Sequence, residues 1–383
     1  MKRIQRYSAL LLAVVLLLSL GACARHTDTL PSANEDTTVK VQETTAPVSD
    51  PLDVMVENMT LEEKVGQMFY VCCVDASVPN WLTNYHIGGL LLFGNDFAEK
   101  TADEVRNTIS GYQKASKVPL LIGADEEGGT VVRISDNPNL RETAFLSPKD
   151  VYSDGGWEAI DATEAEKADL LLSLGVNVNM APVCDVTSNE ESFMYDRSFS
   201  GDVNDVNTFV TKTVRICKEK QLGTVLKHFP GYGDNTDTHD DMAYDNRLYE
   251  MFQITDFLPF KAGVAAGADC ILTAHTIVAD MDDKTPASLS QKVHEILRAD
   301  LGFDGVIMTD DLSMEAIGKY AGADASAVAA AKCGNDLLCC SDVDTQYPAV
   351  LQAVKKGDIP EAQVDASVKR ILRWKQNLGI LNV

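Results

Sequence analysis

"GTVLKHFPG", residues 223–231, decides how the chain is read. Its first half is apolar, its second half carries Lys227 and His228, and a Pro-Gly turn closes it. A near-continuous apolar run of this length suits a strand buried on both faces, as a parallel sheet requires. Two polar side chains at the end of such a strand mark where the buried ladder meets a ligand or solvent.

Seven further runs have the same character: "VGQMFYVCC" (65–73), "IGGLLLFG" (87–94), "PLLIGADEEGG" (119–129), "VNVNMAPVCD" (176–185), "CILTAHTIV" (270–278), "GVIMTDD" (305–311) and "NDLLCC" (335–340). Between them, residues 103–116, 159–174, 206–220, 258–266, 291–299 and 323–332 place apolar residues three and four apart, the spacing of a helix with one buried face. Eight strands alternating with helices, closed by a helix over 361–378, predict an α/β fold of the (β/α)8 barrel type. An open doubly wound sheet is the alternative, since a count of strands does not show closure. Either architecture puts ligand chemistry at the C-terminal ends of strands. There the polar residues gather: Asp125, Asp185, Lys227 with His228, His275, and Asp310 with Asp311.

The N-terminus reads differently. "MKRIQRYSALLLAVVLLLSLGACA" (1–24) joins basic residues, an apolar run and small residues, the pattern of an export signal. Leu20-Gly21-Ala22-Cys23 resembles a bacterial lipobox, which implies cleavage before Cys23 and lipid attachment to it; an ordinary secretory signal or a membrane anchor is the blander reading. The next residues are rich in Thr, Ser, Asp, Glu and Pro and nearly free of large apolar side chains, so they cannot bury enough surface to fold. The expected organisation is a signal over 1–22, a disordered tether over 23–50 and one catalytic barrel over 51–383. The expected location is outside the cytoplasm, anchored to the cell membrane by an N-terminal lipid, with secretion as the alternative.

A formal net charge of -24 argues against a nucleic-acid partner, which needs clustered Lys and Arg. Of the nine cysteines, those after Cys23 fall mostly in apolar runs, and the adjacent pairs Cys72-Cys73 and Cys339-Cys340 lack the CxxC spacing of a metal knuckle. Buried free thiols are expected.

The strand ends carry no serine or cysteine elbow, no phosphate-binding glycine loop and no dinucleotide fingerprint. Carboxylates and histidines dominate. Such a set serves either sugar chemistry, in which carboxylates bind hydroxyls and attack an anomeric carbon, or divalent-metal chemistry. Zinc would ask for several His or Cys ligands at set spacing, and His228, His239 and His275 form no HxH or HExxH unit.

At this point the motifs match a family. "KHFPGYGDNTDTH" resembles the "KHFPGHG…DSH" motif of glycoside hydrolase family 3 in its β-N-acetylhexosaminidase branch, and "LGFDGVIMTDDLSMEAI" resembles that family's nucleophile signature. "ADEEGGTVVRI", "GVNVNMAPVCDV", "DRSFSGD" and "PASLSQKVHEILRADLGF" follow in consistent order, so the resemblance spans about 51–383. It implies a lone barrel and a retaining, exo-acting β-N-acetylhexosaminidase that releases terminal GlcNAc from peptidoglycan fragments or related glycans.

The resemblance also implies roles. Asp310 is the expected nucleophile, and His239 the general acid and base, paired with Asp237; Asp311 is then a structural acceptor. Asp125, Arg197, Lys227 and His228 match positions that hold sugar hydroxyls, with Asp185 a lesser candidate; the alternatives are an ion-pair staple to a barrel acid for Arg197 and a cap of the next segment for Asp125. His275 is expected in the wall of the site, with a core position as the alternative, Arg133 in a structural ion pair, and Glu126 and Glu127 as solvated or structural acids. Thr130 stands where the family often has Arg, and Tyr232 where many members have His. No metal or organic cofactor is needed. The alternatives are a β-glucosidase, another exo-glycosidase or a glycoside phosphorylase on the same barrel, a non-catalytic sugar-binding lipoprotein, and a metal-dependent barrel hydrolase.

Overall fold

The computed structural model describes residues 50–74, 76–238 and 242–383. The expected signal, Cys23 and nearly all of the tether lie outside the described residues, as do His239, Asp240 and Asp241. Asp50, the last residue assigned to the tether, caps a helix: its carboxylate accepts from Leu52 N at 3.1 Å and opens Pro51–Glu57.

Eight strands run parallel in one sheet: β1 Phe69–Cys72, β2 Gly89–Leu92, β3 Leu121–Ala124, β4 Val178–Asn179, β5 Gly223–Phe229, β7 Cys270–Thr273, β9 Val306–Thr309 and β10 Leu338–Cys340. Every residue in them is buried, which is why each reads as a continuous apolar run rather than an alternating one. The order is β10-β1-β2-β3-β4-β5-β7-β9, and a parallel bridge between Met308 and Leu337 joins the two outer strands into a ring. This is the (β/α)8 barrel; the open sheet is set aside. Two short strands outside the ring, β6 Tyr244–Asp245 and β8 Ile277–Val278, pair with each other.

Helices cover the outside. Val203–Glu219 shows the local logic: Asp202 caps it by accepting from Asn204 N, and Val206, Phe209, Val210, Val214 and Cys217 fall on one buried face. Removing that face at Phe209 would cost about 3–5 kcal/mol.

Several expected elements differ in extent. The run 176–185 is a strand only at Val178–Asn179, because Pro182 has no N–H to give. The Asn177 amide there replaces a backbone partner, accepting from Ile122 N at 2.8 Å and donating to Leu120 O at 3.0 Å. The run 270–278 splits into β7 and β8. The expected helix at 159 begins earlier, at Pro148, and passes through Gly156 in a non-helical conformation (φ 64°). The helix Val343–Lys356 was not anticipated.

β5 positions the site. Between Leu226 and Phe229 its register against β7 slips, so Lys227 and His228 of β5 oppose the single residue Leu272 of β7. In a regular strand Lys227 and His228 would point to opposite faces. The bulge re-aims them, and both side chains reach the barrel mouth. The Lys227–His228 and Phe229–Pro230 peptide bonds are cis.

Candidate active site

Lys227 leaves β5 at 3 % exposure, and its Nζ lies 2.8 Å from Asp125 Oδ1 and 2.7 Å from Glu127 Oε1, both just past β3. A buried ammonium at a strand end needs such partners. Arg197, from the long segment after β4, meets Glu127 through Nε at 3.0 Å and NH2 at 2.8 Å, a bidentate pair. Burial raises the Glu127 carboxyl, but the Lys227 and Arg197 charges outweigh it and hold the group well below the usual carboxylate range. Glu127 is therefore a buried anion, not a solvated acid as the sequence reading allowed. Glu126 is structural: it accepts from the backbone of Arg133 at 3.0 Å and Ile134 at 2.7 Å, and from the Ser135 hydroxyl.

His228 is fixed at both ring nitrogens. Arg197 NH2, which only donates, lies 3.3 Å from Nε2, so Nε2 accepts and Nδ1 carries the hydrogen it gives to Asp185 Oδ2 at 2.9 Å. The same Asp185 oxygen accepts from His228 N at 3.0 Å, while Oδ1 accepts from Tyr232 N at 2.7 Å. Asp185, the lesser binding candidate, is a buried clamp on the "HFPGY" turn. That turn also needs Gly231, at φ 119°, where a Cβ would sit 2.3 Å from Asp256 Oδ1.

Asp310 follows β9 and is half-buried; its backbone N donates to Thr273 O at 3.0 Å. Asp311 turns elsewhere, accepting from Ser313 N at 2.9 Å and Ser341 Oγ at 2.6 Å. It is the structural acceptor of the pair. His275 takes the core position, the alternative to the site wall. It is fully buried, donating from Nε2 to Asp311 O at 2.9 Å and accepting at Nδ1 from Ser288 Oγ at 2.7 Å, so it packs under the strand end that carries Asp310. Arg133 makes the expected ion pair, its NH2 lying 3.7 Å from Asp125 Oδ2.

Tyr232 ties the pieces together. Its ring lies edge-on to His228 with centroids 5.1 Å apart, and its hydroxyl is 2.5 Å from Thr238 Oγ1. Burial drives the phenol well above its usual range, and the charges of Asp310, Asp185 and Asp237 add to that. Nothing in the sequence alone pointed to Glu127, Asp185 or Tyr232 as partners of these groups, because each contact depends on which strands become neighbours.

Residues 60–374 match the glycosyl hydrolase family 3 N-terminal domain, and the chain belongs to this family. A β-hexosaminidase of Tolumonas auensis is 30 % identical over 301 residues, covering 76 % of this chain and 86 % of that one. Among solved structures, a family 3 β-N-acetylglucosaminidase from a Paenibacillus species superposes with a TM-score of 0.79 at 30 % identity. It covers 85 % of this chain, which spans 64 % of that longer one. A β-N-acetylhexosaminidase from Beutenbergia cavernae gives a TM-score of 0.75 at 26 % identity, covering 83 % and 99 %.

Proposed function

We propose that this member of glycosyl hydrolase family 3 is an exo-acting, retaining β-N-acetylhexosaminidase that releases terminal GlcNAc. The observation that carries the reading is the polar cluster at the barrel mouth: Lys227 bridges Asp125 and Glu127, Arg197 joins Glu127 to His228, and the carboxylate of Asp310 stands half-buried at the end of β9.

In this reading Asp310 attacks the anomeric carbon while His239 gives a proton to the leaving oxygen; water, deprotonated by His239, then releases the sugar with retained configuration. An imidazole titrating near neutrality, with Asp237 two residues before it, can give and take that proton. Asp125, Arg197, Lys227 and His228 hold the sugar hydroxyls. A neutral ligand suits the site, whose cations are already matched by Asp125 and Glu127.

We further propose that Cys23 carries the lipid of an envelope-anchored lipoprotein and that peptidoglycan fragments are its substrates. The export pattern, the polar tether and the lack of any basic surface requirement support this. Cys23→Ala should move the protein from the membrane fraction to the soluble one.

The function is tested by assaying aryl β-GlcNAc and aryl β-glucoside side by side, with and without phosphate. Activity confined to the GlcNAc glycoside, unchanged by phosphate and abolished in Asp310→Ala, is expected; wild-type turnover in Asp310→Ala would overturn the nucleophile assignment.

A further inference from the structure

We propose that a cleft beside the barrel mouth, rimmed by Tyr244, Leu248 and Met251, receives the sugar of the leaving group and makes the enzyme prefer oligosaccharides to simple glycosides. This inference rests on the functional reading above and extends it from the terminal sugar to what that sugar is attached to. The cleft has a volume of about 670 Å3, inside the ~300–1,000 Å3 range of ligand sites.

Two of its walls continue from the site. Asp185, which holds the His228 ring, is followed by Thr187 and Ser188; Tyr232, which packs on that ring, is followed by Asp234 and Asn235. Thr187 Oγ1 donates to Asp234 Oδ1 at 2.9 Å and ties the two walls together. Both segments lie beyond the C-terminal ends of β4 and β5, the face on which a (β/α)8 barrel does its chemistry. The floor is Arg247, which donates to Gly231 O at 3.1 Å and pairs with Asp245 at 2.7 Å and Asp256 at 2.9 Å. Asn235 braces it, donating to Asp245 Oδ2 at 2.7 Å.

The third wall is apolar. Tyr244, Leu248 and Met251 are 61 %, 59 % and 46 % exposed, and Ile254, 69 % exposed, continues the ridge along the short helix Tyr249–Ile254. Large apolar side chains gathered in this way at a surface mark a binding site. A pyranose matches the cleft because it offers a C–H face to an aromatic ring and hydroxyls at its edge to Thr187, Asp234 and Asn235. Asp125, Arg197, Lys227 and His228 already account for the terminal sugar, so the cleft falls to the next ring along the chain. Other occupants fit less well. Four side chains are far short of the ~20 residues a side of a stable dimer interface, and Asp234 and Glu250, both exposed, in a chain of net charge -24 oppose an anionic lipid surface.

The test compares a GlcNAc disaccharide with the β-fluoride of GlcNAc, whose leaving group is one atom and cannot fill the cleft. Both are assayed with full-length wild type, Tyr244→Ala, Leu248→Ala and Tyr244→Phe, changes at exposed positions that are mild for folding. The alanine variants should lower kcat/KM on the disaccharide about tenfold, mostly by raising KM, because a contact remote from the reacting centre is shared by ground and transition states. The β-fluoride should change by less than about twofold, and Tyr244→Phe, which keeps the ring, should retain the wild-type disaccharide rate. The ratio of the two rates does not depend on how much enzyme folds.

Equal losses on both substrates, or no loss on the disaccharide, would overturn the proposal. Unaltered disaccharide kinetics with a changed oligomeric state, or with changed binding to phospholipid vesicles, would assign the ridge to a second copy or to the membrane and overturn it as well. If wild type cleaves GlcNAc substrates and the variants fail to separate the two, only this inference falls; if wild type cleaves neither, the functional reading falls and this inference with it.

Discussion

Arg197 grips Glu127 through two parallel hydrogen bonds of 3.0 and 2.8 Å, and Lys227 reaches the same carboxylate at 2.7 Å. One buried anion therefore serves a buried cation, Lys227, and a part-buried one, Arg197. Glu127→Gln keeps the shape and removes the counter-charge, so it should lower stability at neutral pH by about 3–5 kcal/mol, the scale for breaking a buried pair. The sign of the pH dependence follows from the depressed Glu127 pKa. As pH falls through the ordinary Glu range, near 4.3, the unfolded chain takes up the proton first, so the wild type loses this stability on the acid side. Urea unfolding at pH 7 and pH 4 should show the gap between wild type and variant narrowing with acid; a gap that widens would contradict the assignment.

Asp185 satisfies three donors, His228 N, His228 Nδ1 and Tyr232 N, within 3.0 Å. In Asp185→Asn one oxygen becomes an NH2 facing a donor, which cannot be accommodated without moving the turn. kcat/KM should fall about a hundredfold, as for a misplacement near 1 Å, while the circular dichroism spectrum stays that of the folded barrel. A loss of less than about threefold would show that the turn is held by other contacts.

Tyr70 sends its ring across the barrel interior, where a Cβ on Gly123 would lie 1.9 Å from the phenol oxygen. That oxygen is buried and, among the described residues, has no hydrogen-bond partner. Tyr70→Phe should therefore be stabilising, by about 1 kcal/mol, as the desolvated hydroxyl disappears. Gly123→Ala should be destabilising, and adding Tyr70→Phe should recover part of the loss because the clashing atom is gone. Denaturant midpoints of the two single variants and the double variant check this; strict additivity would mean that the two residues do not meet.

The strands were legible because burial on both faces writes itself into composition: β1 to β3, β5, β7, β9 and β10 all lie within runs that are apolar without alternation. Helix starts were less so. Pro148 after Ser147 is a helix-opening signal that the Gly155-Gly156 pair obscures by interrupting the periodicity, and Val343–Lys356 carries Pro348 inside it. Lys227, Asp125, Arg197 and His228 were found through motif and strand end, and the fold does bring them together. Glu127 was not distinguishable from Glu126, since adjacent acids look alike until the barrel turns one toward Lys227 and the other toward the backbone of 133–135. His275 was misplaced for a similar reason: a strand-end histidine can face the mouth or the strand beneath it, and only the position of Asp311 decides.

Lys375 makes a prediction at the opposite extreme from the mouth, in the helix Glu361–Asn377. Its side chain is fully buried, its Nζ donates to Gln67 Oε1 at 2.7 Å, and among the described residues no carboxylate pairs with it. Burial lowers its pKa to about 7. The unfolded chain holds the proton up to the ordinary lysine range, near 10.4, so between about pH 7 and 10 it binds more protons than the folded one, and stability rises with pH across that window. Below pH 7 both states are charged and the folded protein carries the whole cost of burying the ammonium. Lys375→Met should thus stabilise the protein at pH 6 by about 1–4 kcal/mol, as apolar replacements of buried ions do, less whatever Gln67 loses with its donor. The advantage should shrink as pH rises toward 9 or 10. Unfolding midpoints of wild type and variant at pH 6, 7.5 and 9 measure it, and a difference that stays constant with pH would mean that the lysine keeps its proton in the folded protein at all of them.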